Sequence, residues 1–449
     1  MPKNPFTVTI YDKALATQQR LGSAISYSFT PRWGLGTGQL VTSVADPANA
    51  LLAAEGARIV VEYRREVLMS GWVYQDTGPV QRAGTVQWDV YDDKYPALAW
   101  VRAWVRPGQN LTPSSLTDTA QMVPAAAGHT DGRADGAGYY AWPATPTVYP
   151  AETAIKRVIS DNLARFGSTV VQGKIDVQAD QGRGGDARLA GMLPQLRFDA
   201  LSDGLADLQT WSGLGIRVWQ PVGATRLKLD VWQPTAWPQV LRAKSGIVTD
   251  GQYQRTGPTA TRPILGGPGD DAGRLFWAGP TAADLESRYG VAIETFTDAT
   301  GSTLKWPDGL DDAAQVAMYF LQRTDVAAAD KAALSTYLAQ AAATALADGR
   351  PTRGLNVSLS ETSTFHYGGD GSDGTPPGYH VGDLVTIGAD GGPTITERIT
   401  ECTLTYATGG DGAFSVVPKV GEIQQDPTAQ LAEVVGALAT SLNRMQSRT

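Results

Sequence analysis

The sequence predicts an α+β, β-rich chain of several domains, with two β units separated by mixed α/β segments and followed by a C-terminal helix. Three observations carry this. The chain has 449 residues, several times the size of a usual domain, which favours two to four domains. Its 50 Gly and 27 Pro make it turn-rich without a collagen period. Runs of alternating apolar and polar residues recur near both ends, whereas helical periodicity falls between them and at the terminus.

Residues 1–105 read as the first β domain. Phe6–Asp12, Ala24–Trp33, Gly38–Ser43, Ala57–Tyr63, Val67–Tyr74 and Thr85–Tyr91 are short strands with period-2 patterning, the signature of an antiparallel barrel or sandwich. Asp46-Pro47 reads as an N-cap with Pro at the first helical position, opening a short helix through Leu51 and Leu52. Asp92–Trp100 reads as a closing helix.

Residues 106–245 read as an inserted α+β domain. It starts with a Pro/Gly/Ala-rich excursion over 106–150 that has no periodicity. The helix Pro150–Phe166 follows, with Ala154, Ile155, Val158, Ile159 and Leu163 on one face. A second helix, Ser202–Ser212, carries the stripe Leu201, Leu205, Leu208 and Trp211. A hairpin comes next, Gly215–Gln220 and Arg226–Trp232, and it could return to the first barrel.

Residues 246–353 read as a second α+β domain, with a strand at Val291–Phe296 and helices at Asp311–Gln322 and Ala327–Ala347. Residues 354–425 read as the second β domain: strands at 354–362, Tyr379–Ile387, Ile395–Tyr406 and Ala413–Pro418, with a Gly-rich hairpin loop over 367–378. The segment after Gly382 echoes the one after Gly56, each a Gly, one further residue and an alternating strand, then two more strands. This reads as one meander used twice, by duplication or by the chance likeness of β-meanders. Residues 426–449 form the closing helix, with Asp426 as N-cap, Pro427 at N1, and Leu431, Val435, Leu438, Leu442 and Met445 as a two-heptad seam. An oligomerisation helix and a helix packed on its own domain both fit that seam.

Composition excludes several function classes. The formal charge of −8, without a basic cluster, argues against a dedicated nucleic-acid binder. A single cysteine, Cys402, excludes an internal disulfide framework, and mid-strand it reads as a buried inert thiol. The chain has three histidines, and two of them, His366 and His380, flank the loop at 367–378 without the further ligands zinc requires. Gly266–Gly273 lacks the P-loop spacing and reads as a surface hairpin. There is no secretory core at the N-terminus and no membrane-spanning run. The carboxylates Asp76, Asp89, Asp92, Asp93, Asp203, Asp207 and Glu294 suit a hydrolase only if two of them face each other across a cleft. Trp211, Trp219 and Trp232 read as core, and Trp100 and Trp104 as exposed anchors. No catalytic, cofactor or metal residue is assigned.

The stretch Leu196–Gln220 with Leu227–Trp232 resembles a recurring unit of phage tail hub proteins, as do Arg288–Thr300, Tyr379–Ile387 with Ile395–Tyr406, and Val416–Ile423. Together they resemble the minor tail proteins of long-tailed actinobacteriophages, the ReqiPepy-type tail protein family, which is similar to baseplate hub and tail-associated proteins. The resemblance implies a non-enzymatic virion protein at the tail tip, made in the bacterial host cytoplasm. It implies a multidomain hub with two tube-like antiparallel β-barrel domains per chain and a homotrimer forming a pseudo-sixfold ring. The implied partners are the distal tail protein, the tail tube protein, the tape measure protein and other minor tail proteins below, with phage DNA only in passage. Rival readings are a host-surface adhesin, using the loops at 106–150 and 367–378 and the surplus Trp, and a cell-wall hydrolase.

Overall fold

The computed structural model describes residues 4–22, 24–80, 83–103, 140, 142, 148–185, 187–189, 193–194, 196, 198–266, 276–298, 328–351, 353–369, 377–388, 394–408 and 414–421. The expected helix Asp311–Gln322, the seam Leu431–Met445, Trp104 and most of the two loops lie outside these residues.

The first unit comprises β1 (Phe6–Tyr11), β2 (Thr17–Arg20), β3 (Ser26–Thr30), β4 (Thr37–Ser43), the short helix α1 (Asn49–Leu52), β5 (Arg58–Tyr63), β6 (Glu66–Thr77) and β7 (Thr85–Asp92). All six expected strands are present. Alternation sets their faces: β4 buries every second residue from Gly38 to Thr42. The Asp46 carboxylate accepts from the Ala48 amide at 2.9 Å, the bond expected of an N-cap, while the regular helix α1 begins at Asn49, two residues beyond Pro47. The expected closing helix is a single π-helical turn, Tyr95–Ala99.

The middle of the chain holds β8 (Val148–Tyr149), α2 (Ala151–Leu163), β9 (Ile175–Val177), β10 (Arg188–Leu189), α3 (Leu201–Ser212), β11 (Gly215–Trp219) and β12 (Leu227–Trp232). The helical stripes behave as the periodicity dictates. Ala154, Ile155, Val158, Ile159, Leu201, Leu205 and Leu208 are all fully buried, in one core with Leu227, Leu229 and Val231. Gly213, at φ +69°, ends α3 in the left-handed conformation that glycine adopts without strain. The hairpin β11–β12 does not join the first unit's sheet; β12 pairs in parallel with β9 in a separate three-stranded sheet.

Next come β13 (Ala236–Arg242), β14 (Val248–Arg255), β15 (Arg262–Gly266), β16 (Phe276–Ala278), α4 (Ala283–Tyr289), β17 (Glu294–Asp298) and the long helix α5 (Ala328–Asp348). The strand expected at Val291–Phe296 starts three residues later and ends two residues later. The second unit continues with β18 (Arg353–Leu359), β19 (Leu384–Gly388), β20 (Thr394–Ala407) and β21 (Phe414–Val420).

Both β units belong to one 13-stranded sheet, in the order β14-β18-β21-β20-β3-β4-β7-β6-β5-β1-β2, with β19 pairing β20 and β13 pairing β19 off that path. The first unit runs β3-β4-β7-β6-β5; the second runs β14-β18-β21-β20-β19, with every neighbour antiparallel. In chain order these are the same five-strand topology. The match extends to register. Arg58 faces Trp72 as Leu384 faces Arg398, and Val73 faces Val90 as Ile399 faces Val420. A bulge follows at the same place, between Val73 and Gln75 and between Ile399 and Glu401. The echoing glycines share a left-handed backbone, Gly56 at φ +79° and Gly382 at φ +102°. The echo in the sequence is therefore a structural repeat.

Among the described residues, the sheet does not form the two separate closed barrels that the resemblance implies. The first unit curls until Phe6 of β1 meets Phe29 of β3, ring centroids 5.3 Å apart, yet no ladder joins those strands. The physical reason is that β3 has two edges: one pairs with β4, and β20 occupies the other. A single hydrophobic core spans both units, from Phe6, Phe29 and Trp88 to Val357, Tyr379 and Leu404.

Candidate assembly site at the joint of the two units

The joint is built where β20 outruns β19. Residues Thr394–Arg398 of β20 pair with β19, and beyond them Leu404–Ala407 pair with β3, from Leu404 opposite Phe29 to Ala407 opposite Ser26. The ladder extends past β3 into Pro31, Arg32 and Trp33. The Trp33 amide donates to the Thr400 carbonyl at 2.8 Å, and the Cys402 amide donates to the Pro31 carbonyl at 3.1 Å. Between them, Arg32 and Glu401 face each other as an antiparallel bridge and form an ion pair at 2.7 Å.

Trp33 is the anchor. The Arg398 guanidinium lies 3.6 Å from the centre of its ring, a cation over an aromatic face. Burial pushes the Arg398 pKa below its ordinary value. Trp232, from β12, meets Trp33 edge-on with centroids 5.9 Å apart. Two glycines make room for this pair: a Cβ on Gly382 would lie 2.5 Å from the Trp232 ring, and one on Gly215 would lie 2.7 Å from the Trp33 ring.

The turn carrying Trp33 is held from the end of β7. The Lys94 ammonium donates to the carbonyls of Arg32 (2.6 Å), Trp33 (3.2 Å) and Gly34 (2.5 Å). The Asp92 carboxylate accepts from the Gly36 amide at 2.8 Å. Burial raises the Asp92 carboxyl to about 6, against the opposing pull of Lys94. The next residue, Asp93, is fully buried, pairs with Arg58, and accepts from the Ser70 hydroxyl at 2.5 Å. Ser70 in turn accepts from the Gln220 amide at 2.8 Å, tying the first unit to the end of β11. This network carries no sequence motif; only the fold brings its members together.

A cavity of about 940 Å³ lies beside the joint, between the units and the hairpin, with Trp33, Trp232, Trp237, Glu66 and His380 in its wall. Glu66 and His380 make a hydrogen bond of 2.9 Å, which holds the Glu66 carboxyl below its usual range.

Cys402 is buried in β20, and burial raises its thiol pKa well above the ordinary value, the inert thiol expected. His366 is buried, while the half-exposed His380 is engaged with Glu66, and no group of metal-ligating residues exists among the described residues. Asp203 and Asp207 lie on α3, Glu294 on β17, and Asp76 and Asp89 on β6 and β7; Asp92 and Asp93 are both taken up in the hydrogen bonds above. No helix among the described residues is long and apolar enough to cross a membrane. Trp100 is 43% exposed, as expected of an anchor. It closes a surface cluster in which Tyr74 stacks on Tyr91 at 4.2 Å, Tyr91 stacks on Tyr95 at 4.1 Å, and Trp72 meets Trp100 at 5.3 Å.

Comparison with known proteins gives no match among curated ones. Among solved structures the chain is similar to the prophage MuSo2 43 kDa tail protein from Shewanella oneidensis, at 11% identity and TM-score 0.41, covering 93% of this chain and 98% of that one. It is similar to the tail protein from Neisseria meningitidis MC58, at 11% identity and TM-score 0.43, covering 93% and 97%. It is also similar to a chain of the Francisella PdpA-VgrG complex, at 7% identity and TM-score 0.44, covering 95% and 59%. The profile of one protein family matches residues 137–421, more than half of the chain, and by that match the protein belongs to the Siphovirus ReqiPepy6 Gp37-like family.

Proposed function

We propose that the protein is a non-enzymatic structural component of a bacteriophage tail: a homotrimeric hub at the tail tip that joins the hexameric tail tube to the distal tip and lines the path of the ejected genome. The observation that carries this reading is the repeat. Each chain supplies two units of one topology, already joined edge to edge by β3 and β20. Three chains of two units make a ring of six similar wedges, the number a hexameric tube needs. Each unit then acts as a tube-like module whose sheet is completed by its neighbours rather than by itself. The net charge of −8 suits a conduit that must not trap DNA phosphates. In this reading the contacts above and below are the tail tube, distal tail, tape measure and other minor tail proteins. The seam Leu431, Val435, Leu438, Leu442 and Met445 would start a three-helix bundle at the tip.

The test is the mass of the purified chain in solution, by light scattering, with and without residues 426–449. A trimer supports the ring, and its loss on truncation assigns trimerisation to the seam. A chain that stays monomeric both in solution and when mixed with tail tube protein overturns it.

One observation favours a second reading. The surface cluster of Trp72, Tyr74, Tyr91, Tyr95 and Trp100 is a platform of the kind on which sugar rings stack, as in a host-surface adhesin. Binding of the isolated chain to host cells, lost on Trp100→Ala, would support that reading over the hub.

A further inference from the structure

The repeat makes the joint predictive, because a joint seen once inside the chain has an equivalent that the chain leaves open. In the second unit, β20 runs beyond β19 and receives β3. In the first unit, β6 likewise runs beyond β5, whose ladder ends at Arg58 opposite Trp72; past that point the described residues give β6 a strand partner on its β7 side only. Tyr74, Gln75, Asp76 and Thr77 are all exposed there. The counterpart of β3 in the second unit is β14, the terminal strand of the sheet path. The registers align without ambiguity. Phe29 faces Gly38, which faces Val90; Gly251 faces Val357, which faces Val420. Val90 and Val420 are equivalent through Val73 and Ile399, so Phe29 corresponds to Gly251, and Pro31, Arg32 and Trp33 correspond to Tyr253, Gln254 and Arg255.

We propose that β14 of one copy pairs antiparallel with the free edge of β6 in the next copy, with Gln254 opposite Gln75, as Arg32 is opposite Glu401 within the chain. This rests on the ring reading above and names its contact. The equivalent backbone bonds run from the Arg255 amide to the Tyr74 carbonyl and from the Asp76 amide to the Tyr253 carbonyl. The residue types at the anchor are inverted between the two joints. Inside the chain, the aromatic Trp33 comes from the arriving strand and the cation Arg398 from the receiving one. Between copies, the arriving strand carries Arg255 and the receiving strand carries Trp72, the exact counterpart of Arg398, beside Tyr74 at 46% exposure. The aromatic cluster on the first unit, in which Tyr74 and Trp100 are exposed, is then the receiving face for a cationic strand end. A path β14-β18-β21-β20-β3-β4-β7-β6 followed by the next copy's β14 is continuous and has no free edge once the ring closes.

The test uses tails purified from phage carrying Gln75→Cys together with Gln254→Cys. A directly opposed, non-hydrogen-bonded antiparallel pair has Cα atoms about 4.5 Å apart, within disulfide reach. The expected result on a non-reducing denaturing gel is a covalent ladder ending at three chains, collapsing to one on reduction and absent from either single variant. The pair Arg32→Cys with Glu401→Cys, at the in-chain joint, should close within one chain and reports that folding and oxidation succeeded. If that control closes while Gln75→Cys/Gln254→Cys yields no ladder in tails with three copies of the chain, the pairing is overturned and the ring stands. If tails hold a number of copies other than three, the ring reading itself fails. Where the double variant does not assemble, a photo-crosslinking residue at position 75 alone decides: capture of the segment at 253–255 from another chain supports the pairing, and capture of any other segment overturns it.

Discussion

The guanidinium of Arg398 sits 3.6 Å over the ring of Trp33, although the two residues belong to opposite ends of the chain and to different copies of one repeat. Burial disfavours the free cation there, so the aromatic face and the Gly213 carbonyl, 3.5 Å away, replace its lost hydration. This contact fastens the first unit to the second beside a short strand pairing, and its energetics can be measured directly.

Trp33→Ala removes the anchor and its packing on Trp232, and should cost about 3 kcal/mol. Arg398→Ala should cost about 1–2 kcal/mol. In a double-mutant cycle by chemical denaturation the two should couple by about 1 kcal/mol; purely additive losses would show that the contact contributes nothing of its own.

Gly382→Ala should destabilise the joint by about 2–3 kcal/mol, since the position needs both a left-handed backbone at φ +102° and space against Trp232 and Trp33. Gly22→Ala, where a Cβ meets nothing within 4 Å, should change stability by less than about 0.5 kcal/mol. Equal effects at the two sites in thermal unfolding would contradict the close approach.

Asp93→Ala strands the buried Arg58 without its counter-charge and should cost about 3–5 kcal/mol. Adding Arg58→Met should recover part of that loss, because the uncompensated charge goes with it. A double variant no more stable than Asp93→Ala would place the cost in packing instead.

Asp92 should leave a signature in the pH dependence of stability. Its folded-state carboxyl is raised to about 6 from a reference of 3.8, because burial penalises the anion. Between those values the folded chain holds a proton that the unfolded chain releases, so this group's contribution falls as pH rises from about 4 to about 6 and is constant above. Asp92→Asn should remove that descending component from the stability curve. An unchanged slope across the window would rule out Asp92 as its source.

What the residues revealed on their own was local. The stripes of α2 and α3 and the strands β1, β3–β7, β20 and β21 were legible because each is written in adjacent residues at a period of 3.6 or 2. The repeat was legible as an echo because the glycines before β5 and β19 need the same backbone. β13 was missed because it alternates poorly: Leu241 is its one buried residue, and Pro238 interrupts it. The joint itself was invisible. Nothing near Trp33 announces Arg398, and nothing near Lys94 announces three carbonyls from the turn at 32–34. Only pairing across the full length of the chain creates those sites. The closed barrels expected from the resemblance fail for the same reason, since β3 gives its outer edge to a strand from the far end of the sequence.

In the proposed ring the two units of each chain are equivalent wedges. A cryo-EM reconstruction of the tail end tests it most directly. The expected result is three copies of the chain, with all six β units in one ring and β6 of each copy beside β14 of the next. A single copy, or a ring in which only one unit of each chain takes part, would contradict it.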